Sequence, residues 1–216
     1  MKDPKIIKSE AKKLYSPYYI YCLIIVMIHF ALIGLQWSSM VGGFLSFRIT
    51  GRPTMMEFLT ILSVSIGFFI VTPMEVGVKK FFLNLTREEA EMKDIVAPFK
   101  DAYDRAVIII FLRNVKILLW SVLLIVPGIM KAYEYAMIPY IVAEEPDIKN
   151  QPAFERSKKL MKGNKINLFK LQLKFIGLYI IALIPLGAGL LFLAPYTNTA
   201  YALFYEEVKK KADEKA

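Results

Sequence analysis

LLWSVLLIVPGIMKAYEYAMIPYIVAEE, residues 118–145, is apolar on every side. A soluble helix of this length would show a polar face at 3.6-residue spacing. Here Lys131 and Glu134 are isolated charges in an apolar background. Pro127 donates no N–H, and Gly128 tolerates the dihedrals of a tight turn, so the pair predicts a two-residue break between two helices. The stretch therefore reads as a helical hairpin buried in lipid.

The rest of the chain repeats that character. Of its 216 residues, 56% are hydrophobic, above the 45–50% usual for a soluble domain. The surplus is gathered into runs near the length that crosses a bilayer. Spans are expected at about 18–37, 57–73, 106–126, 129–143, 171–185 and 190–206. Residues 38–56 read as a surface connection, and Pro73 as a kink. The segment after Pro73 reads as an amphipathic exit, with Phe81, Phe82 and Leu85 in lipid and Lys79, Lys80 and Arg87 at the head groups. The fold expected is all-α: a single polytopic membrane domain of six transmembrane helices with short interfacial amphipathic helices.

The net charge is +9, with 28 Lys and Arg. Segments 1–13, 74–105, 144–170 and 208–216 hold 5 + 6 + 7 + 4 = 22 of them. The positive-inside rule then places both termini and both long polar connections in the cytoplasm. Segment 152–169 reads as an amphipathic helix on that membrane face, ended by Gly163-Asn164, and favours membrane over nucleic acid as its partner. A weak repeat relates Phe111, Lys116 and Pro127 to Phe169, Lys174 and Pro185 at an offset of 58 residues.

Little in the sequence suggests catalysis. Cys22 and His29 are the only residues of their types, which leaves no cysteine pair, zinc set or histidine-based triad. There is no P-loop and no G-x-S-x-G, and Glu75, Glu134, Glu144, Glu145, Glu206 and Glu207 look scattered. No enzyme, cofactor or metal is expected. His29, within the first span, reads either as a proton relay or as a histidine bonded to a nearby carbonyl.

Two charge sets are the binding candidates. Lys131 and Glu134, at i and i+3, share a helix face. They serve either as a head-group anchor or as a polar interior element gripping an anion, a lipid head group or a partner helix. Arg113, Lys116 and Lys174 lie toward the cytoplasmic ends of their spans. They either snorkel to the interface or form a basic pocket for an anionic lipid. Trp37, Trp120, Tyr133, Tyr135, Tyr140, Tyr196, Tyr201 and Tyr205 read as interface anchors.

The order of LLW at 118–120, PGIMKAYEYAMIPYIVAEEP at 127–146, LMKGNK at 160–165, LFKLQLKFIG at 168–177, LAPY at 193–196 and FYEE at 204–207 resembles an uncharacterised family of small bacterial integral membrane proteins, domain of unknown function 975. The chain is also distantly similar to the membrane domain of some glycerophosphodiester phosphodiesterases, whose catalytic barrel it lacks. The resemblance implies six spans in a bacterial cell membrane and no known reaction. The function expected is non-catalytic: organising, protecting or assisting a membrane process through contacts with lipid or with a membrane-protein partner. The alternative is a small transporter with its polar interior at Lys131 and Glu134.

Overall fold

The computed structural model describes residues 2–51, 55–184 and 187–214, and their side chains save those of Gln36 and Ile66. Every regular element among them is helical. Asp3 caps α1 (Pro4–Tyr15) through its carboxylate, which accepts from the Lys5 N–H at 2.6 Å. The helix buries Ile7 and Ala11 and lies along the last helix of the chain. α2 follows as 32 residues, Tyr19–Thr50.

Of the expected connection at 38–56, the described residues are helix up to Thr50 and again from Met55, and Gly51 caps α2. Gly42 and Gly43 do not break α2. A Cβ at Gly43 would stand 2.0 Å from Thr60 Oγ1, so this glycine is where α2 and its neighbour approach most closely. Thr60 donates across that contact to the Ser39 carbonyl at 2.8 Å. Small residues at such crossings are how helices associate in lipid. The turn itself falls at Gly51, with φ +64; Pro53 lies outside the described residues.

α3 (Met55–Ile66), a π-helical turn (Gly67–Val71) and α4 (Thr72–Thr86) form one rod of 32 residues. Pro73 does not end it. The π-turn just before this proline accommodates the missing N–H, and the Phe69 carbonyl, four residues before Pro73, is met instead by the Tyr103 hydroxyl. The expected exit segment is therefore the middle of the bundle: Phe81, Phe82 and Leu85 are buried in protein rather than dipping into lipid.

A 3-10 turn (Met92–Ile95) and the short α5 (Ala97–Asp101) lead into α6 (Tyr103–Leu123). The break after α6 is at Leu124, which is extended, and not at Pro127-Gly128. In a continuing helix the Pro127 ring would clash with the carbonyl four residues back, so α6 must stop by Leu123. Pro127 and Gly128 then sit in the opening turn of α7 (Ile125–Glu134). A Cβ at Gly128 would lie 2.6 Å from Ser121 Cα, so Gly128 closes the hairpin by letting α7 touch α6.

The expected fourth span, 129–143, is two pieces. α7 ends at Glu134, and α8 (Ile138–Glu144) starts after a turn. Pro139 is the cause, forbidding a continuous helix past Tyr135. α9 (Asn150–Met161) is the expected amphipathic helix, and Gly163 follows it at φ +78. Its apolar face, Phe154, Leu160 and Met161, is buried against the bundle rather than against lipid. α10 (Lys165–Leu183) begins six residues before the expected start at 171, and α11 (Ala188–Asp213) runs beyond 206 at its end.

Four helical stretches are long and apolar enough to cross a membrane: Tyr19–Thr50, Met55–Thr86, Tyr103–Leu123 and Lys165–Leu183. At 1.5 Å per residue the shortest is roughly 28 Å. The packed core collects α1, α4, α8, α9 and much of α11. The outer parts of α2 and α3 and the α6–α7 tip leave large apolar side chains uncovered, with Val122 79% exposed. Such a surface suits a hydrocarbon solvent and not water. Tyr135, Tyr140 and Tyr205, expected at the interface, are core residues; Tyr140 and Tyr205 stack at 5.3 Å.

Candidate functional site

Above the Tyr140–Tyr205 stack a cavity of about 570 Å³ opens between α2, the α3–α4 rod, α6 and α11. Its walls are apolar, from Val26, Phe30 and Ile33 on α2 and Val64, Phe68 and Val71 on the rod. Set into them are six polar side chains. His29 comes from α2, Thr72, Glu75 and Lys79 from α4, Asn114 from α6 and Asn198 from α11. Glu75 and Lys79 are four residues apart and so share one face of α4.

Arg113, beside Asn114 on α6, closes on Glu75 through two parallel hydrogen bonds of 2.9 and 3.1 Å. The same guanidinium donates to Asn114 Oδ1 at 3.0 Å. This bidentate geometry is the strongest form of ion pair and fixes both helices. Lys79 is held differently. Its ammonium donates to Asn198 Oδ1 at 2.6 Å and lies 5.6 Å from the Tyr140 ring centre. Among the described residues it has no carboxylate within ion-pair distance. Nδ1 of His29 is buried and finds no hydrogen-bond partner among the described residues. Its ring borders the cavity, and Nδ1 is not bonded to a nearby carbonyl.

The π-turn shapes the mouth of this cavity. Such turns insert a surplus residue into an α-helix and free backbone carbonyls, commonly at functional sites. Tyr103 Oη donates to one of these carbonyls, that of Phe69, at 2.7 Å. Phe68 stacks edge-on against Phe111 of α6 at 5.0 Å.

The residues singled out from the sequence separate. Arg113 does not line the cavity but braces two residues that do, Glu75 and Asn114; Lys116 and Lys174 do neither. Lys116 Nζ sits 3.6 Å from the ring centre of Phe154 on α9. Lys174 binds Asp3 at 3.0 Å, at the start of α1. The three form no common pocket because each is drawn to a different partner helix. Lys131 and Glu134 do pair, at 2.8 Å, and Lys165 takes the other carboxylate oxygen at 2.9 Å. Lys131 is flanked by the rings of Trp120 and Tyr135. The Glu134 carbonyl accepts from Ser157 Oγ at 2.8 Å. This cluster joins α7, α9 and α10 and is satisfied within itself. Pro127 and Gly128 are structural, one turn past the break.

A second charged cluster lies where α4, α8, α9 and α11 meet. Glu144 accepts from Arg87 at 2.5 Å, Lys209 at 2.6 Å and the Tyr205 hydroxyl at 2.8 Å, with Arg156 at 3.5 Å. Arg87 also binds Glu206 at 2.8 Å. Burial raises the Glu144 pKa, but the bonds from Lys209, Arg87 and Tyr205 outweigh it and hold the carboxyl at about 2. The glutamates that look scattered along the chain thus converge in part, around a guanidinium. Among the described residues no three His, Cys, Asp or Glu side chains gather as metal ligands.

Among the described residues the fold is all-helical, with four helical stretches long and apolar enough to cross a membrane. A family described as "Protein of unknown function (DUF975)" matches residues 122–212, which takes in α7 through α11 and, of the cavity's polar residues, Asn198 alone. No curated protein and no solved structure matches the chain, and the comparisons lend no support to a likeness with the phosphodiesterase membrane domain.

Proposed function

We propose that this protein is a non-catalytic, multi-pass membrane protein that binds an anionic ligand in the cavity around Lys79. One observation carries the reading. Glu75 is paired to Arg113, so of these three charges Lys79 is the one left, among the described residues, with an amide oxygen and a ring face as its close partners. A charge in such surroundings costs several kcal/mol unless a counter-charge joins it. A ligand bearing one negative charge supplies it.

The reading keeps the six-span arrangement: α2, the α3–α4 rod, α6, the broken α7–α8, α10 and α11 in a bacterial cell membrane, with both termini cytoplasmic. Support comes from the joined ends, since the Lys2 N–H donates to Glu207 at 3.1 Å and α1 lies along α11. It also places the polar interior at Glu75, Lys79 and Arg113. A permeation path at Lys131 and Glu134 draws no support, because both carboxylate oxygens of Glu134 are taken. Lys79 is held by Asn198 and faces the ring of Tyr140, itself stacked on Tyr205 in the core, which favours holding a ligand over conducting one.

The test is native mass spectrometry of the protein taken directly from membranes into nanodiscs. The wild type should carry a bound anionic species that Lys79→Gln loses and Lys131→Ala keeps. An identical bound set in all three would overturn the reading.

A further inference from the structure

A second cleft, of about 250 Å³, adjoins the polar cavity and shares Gly67 and Val71 with it. It runs between α2 and α3 and is lined by Leu32, Leu35, Leu59 and Leu62. Leu35 is 64% exposed, so the cleft opens sideways toward the surrounding solvent, here lipid. One polar chamber with an excess positive charge thus lies directly beside one apolar slot. The wall they share is the π-turn, at Gly67 and Val71.

Resting on the ligand reading above, we propose that the two chambers hold one anionic phospholipid. Its phosphate lies at Lys79, and one acyl chain lies in the cleft between α2 and α3. Charge complementarity selects the anion. The size and lining of the polar chamber select a head group larger than a bare carboxylate. Around Lys79 stand two amides, Asn114 and Asn198, the Thr72 hydroxyl and the unfilled His29 Nδ1. These are groups that bond head-group hydroxyls and ester oxygens. An unfilled buried nitrogen is costly, and a hydroxyl reaching it removes that cost. The apolar slot adds placement rather than affinity, since an acyl chain is equally apolar in the bilayer.

The experiment uses the full chain in phosphatidylcholine nanodiscs doped with phosphatidylglycerol carrying a diazirine at one chain end. Parallel samples carry the same label on phosphatidylcholine or on a fatty acid. After irradiation, labelled peptides are mapped by mass spectrometry. Glycerol 1-phosphate, a head group without a tail, is titrated separately against thermal unfolding. Labelled phosphatidylglycerol should mark residues 32–39 and 59–71. That labelling should fall about tenfold in Lys79→Gln, the size of one lost charge-assisted bond. In Leu35→Trp/Leu62→Trp, which fills the slot, the labelling should vanish while glycerol 1-phosphate still raises the unfolding temperature.

Equal labelling by phosphatidylcholine, or labelling spread over α6, α7 and α10 and indifferent to Lys79, overturns the proposal. So does labelling by the fatty acid alone. In those cases a retained shift with glycerol 1-phosphate leaves the anion-binding reading standing. Loss of that shift in the wild type overturns both.

Discussion

The cavity at Glu75 and the cluster at Glu144 are built from the same residue types and differ in how they are closed. At Glu144 each carboxylate oxygen has a protein donor, and four helices are tied through it. At Glu75 the carboxylate is equally well held by Arg113, but a second cation, Lys79, is left with an amide. The first arrangement is complete without any other molecule. On the reading proposed above the second is completed by a ligand, and that difference, more than the presence of charge, separates a binding site from a brace.

The comparison can be broken by substitution. The largest effect is expected from Glu144→Ala, which leaves Lys209 without a carboxylate and Arg87 and Arg156 with one each, Glu206 and Glu145. It should cost about 3 kcal/mol of stability, read as thermal unfolding in detergent, because removing one partner strands buried charge. Nearly as large, Gly77→Ala places a methyl carbon 2.0 Å from the Ile95 carbonyl oxygen. A loss of about 2 kcal/mol is expected from overpacking against backbone, and a neutral result would mean that the 3-10 turn moves freely.

The sharpest contrast lies between two neighbours. Glu75→Gln should destabilise the protein by roughly 2 kcal/mol, because it strands the Arg113 guanidinium. Lys79→Gln should leave unfolding in ligand-free detergent unchanged or slightly raised. If both variants fall equally, the cavity is a brace like the other cluster.

pH separates the regions further. The Glu144 carboxyl titrates at about 2 when folded, against its ordinary 4.5 when unfolded. A depressed folded pKa gives stability that is complete above the unfolded value and is lost as pH falls. The penalty of Glu144→Gln should therefore be full at pH 6 and shrink steadily as the pH is lowered from about 5 toward 2, measured by unfolding across that range. The smallest effect is expected at Lys174→Ala. Its partner Asp3 is exposed, and the loss should stay below about 1 kcal/mol.

Much of this architecture is legible in the sequence. All-round apolar runs identify the helices, the i,i+3 pairing of Lys131 with Glu134 follows from spacing, and Gly163 ends α9 where the chain suggests. Prolines mislead in a consistent way. Pro127 reads as a point of breakage and Pro73 as a kink, yet proline belongs just inside a helix start, so the break at Leu124 and the π-turn at Gly67–Val71 each precede their proline. The cavity is not legible from any one segment. His29, Glu75, Asn114 and Asn198 are far apart in sequence and meet only when α2, α4, α6 and α11 pack. One signal was available. Glu75 and Lys79 stand four residues apart in a segment whose Phe81, Phe82 and Leu85 make it as apolar as a span. Reading Pro73 as an end turned that segment into a surface exit and its charges into head-group contacts.

The π-turn at Gly67–Val71 amounts to one residue more than an ordinary helix would use. One residue is about 100° of rotation along a helix. Deleting a single residue there would swing Glu75 and Lys79 off the cavity wall while leaving every side chain of the site intact. The site is thus encoded partly as a length. A library of point substitutions would pass over that determinant, and a scan of one-residue deletions through the rod would find it.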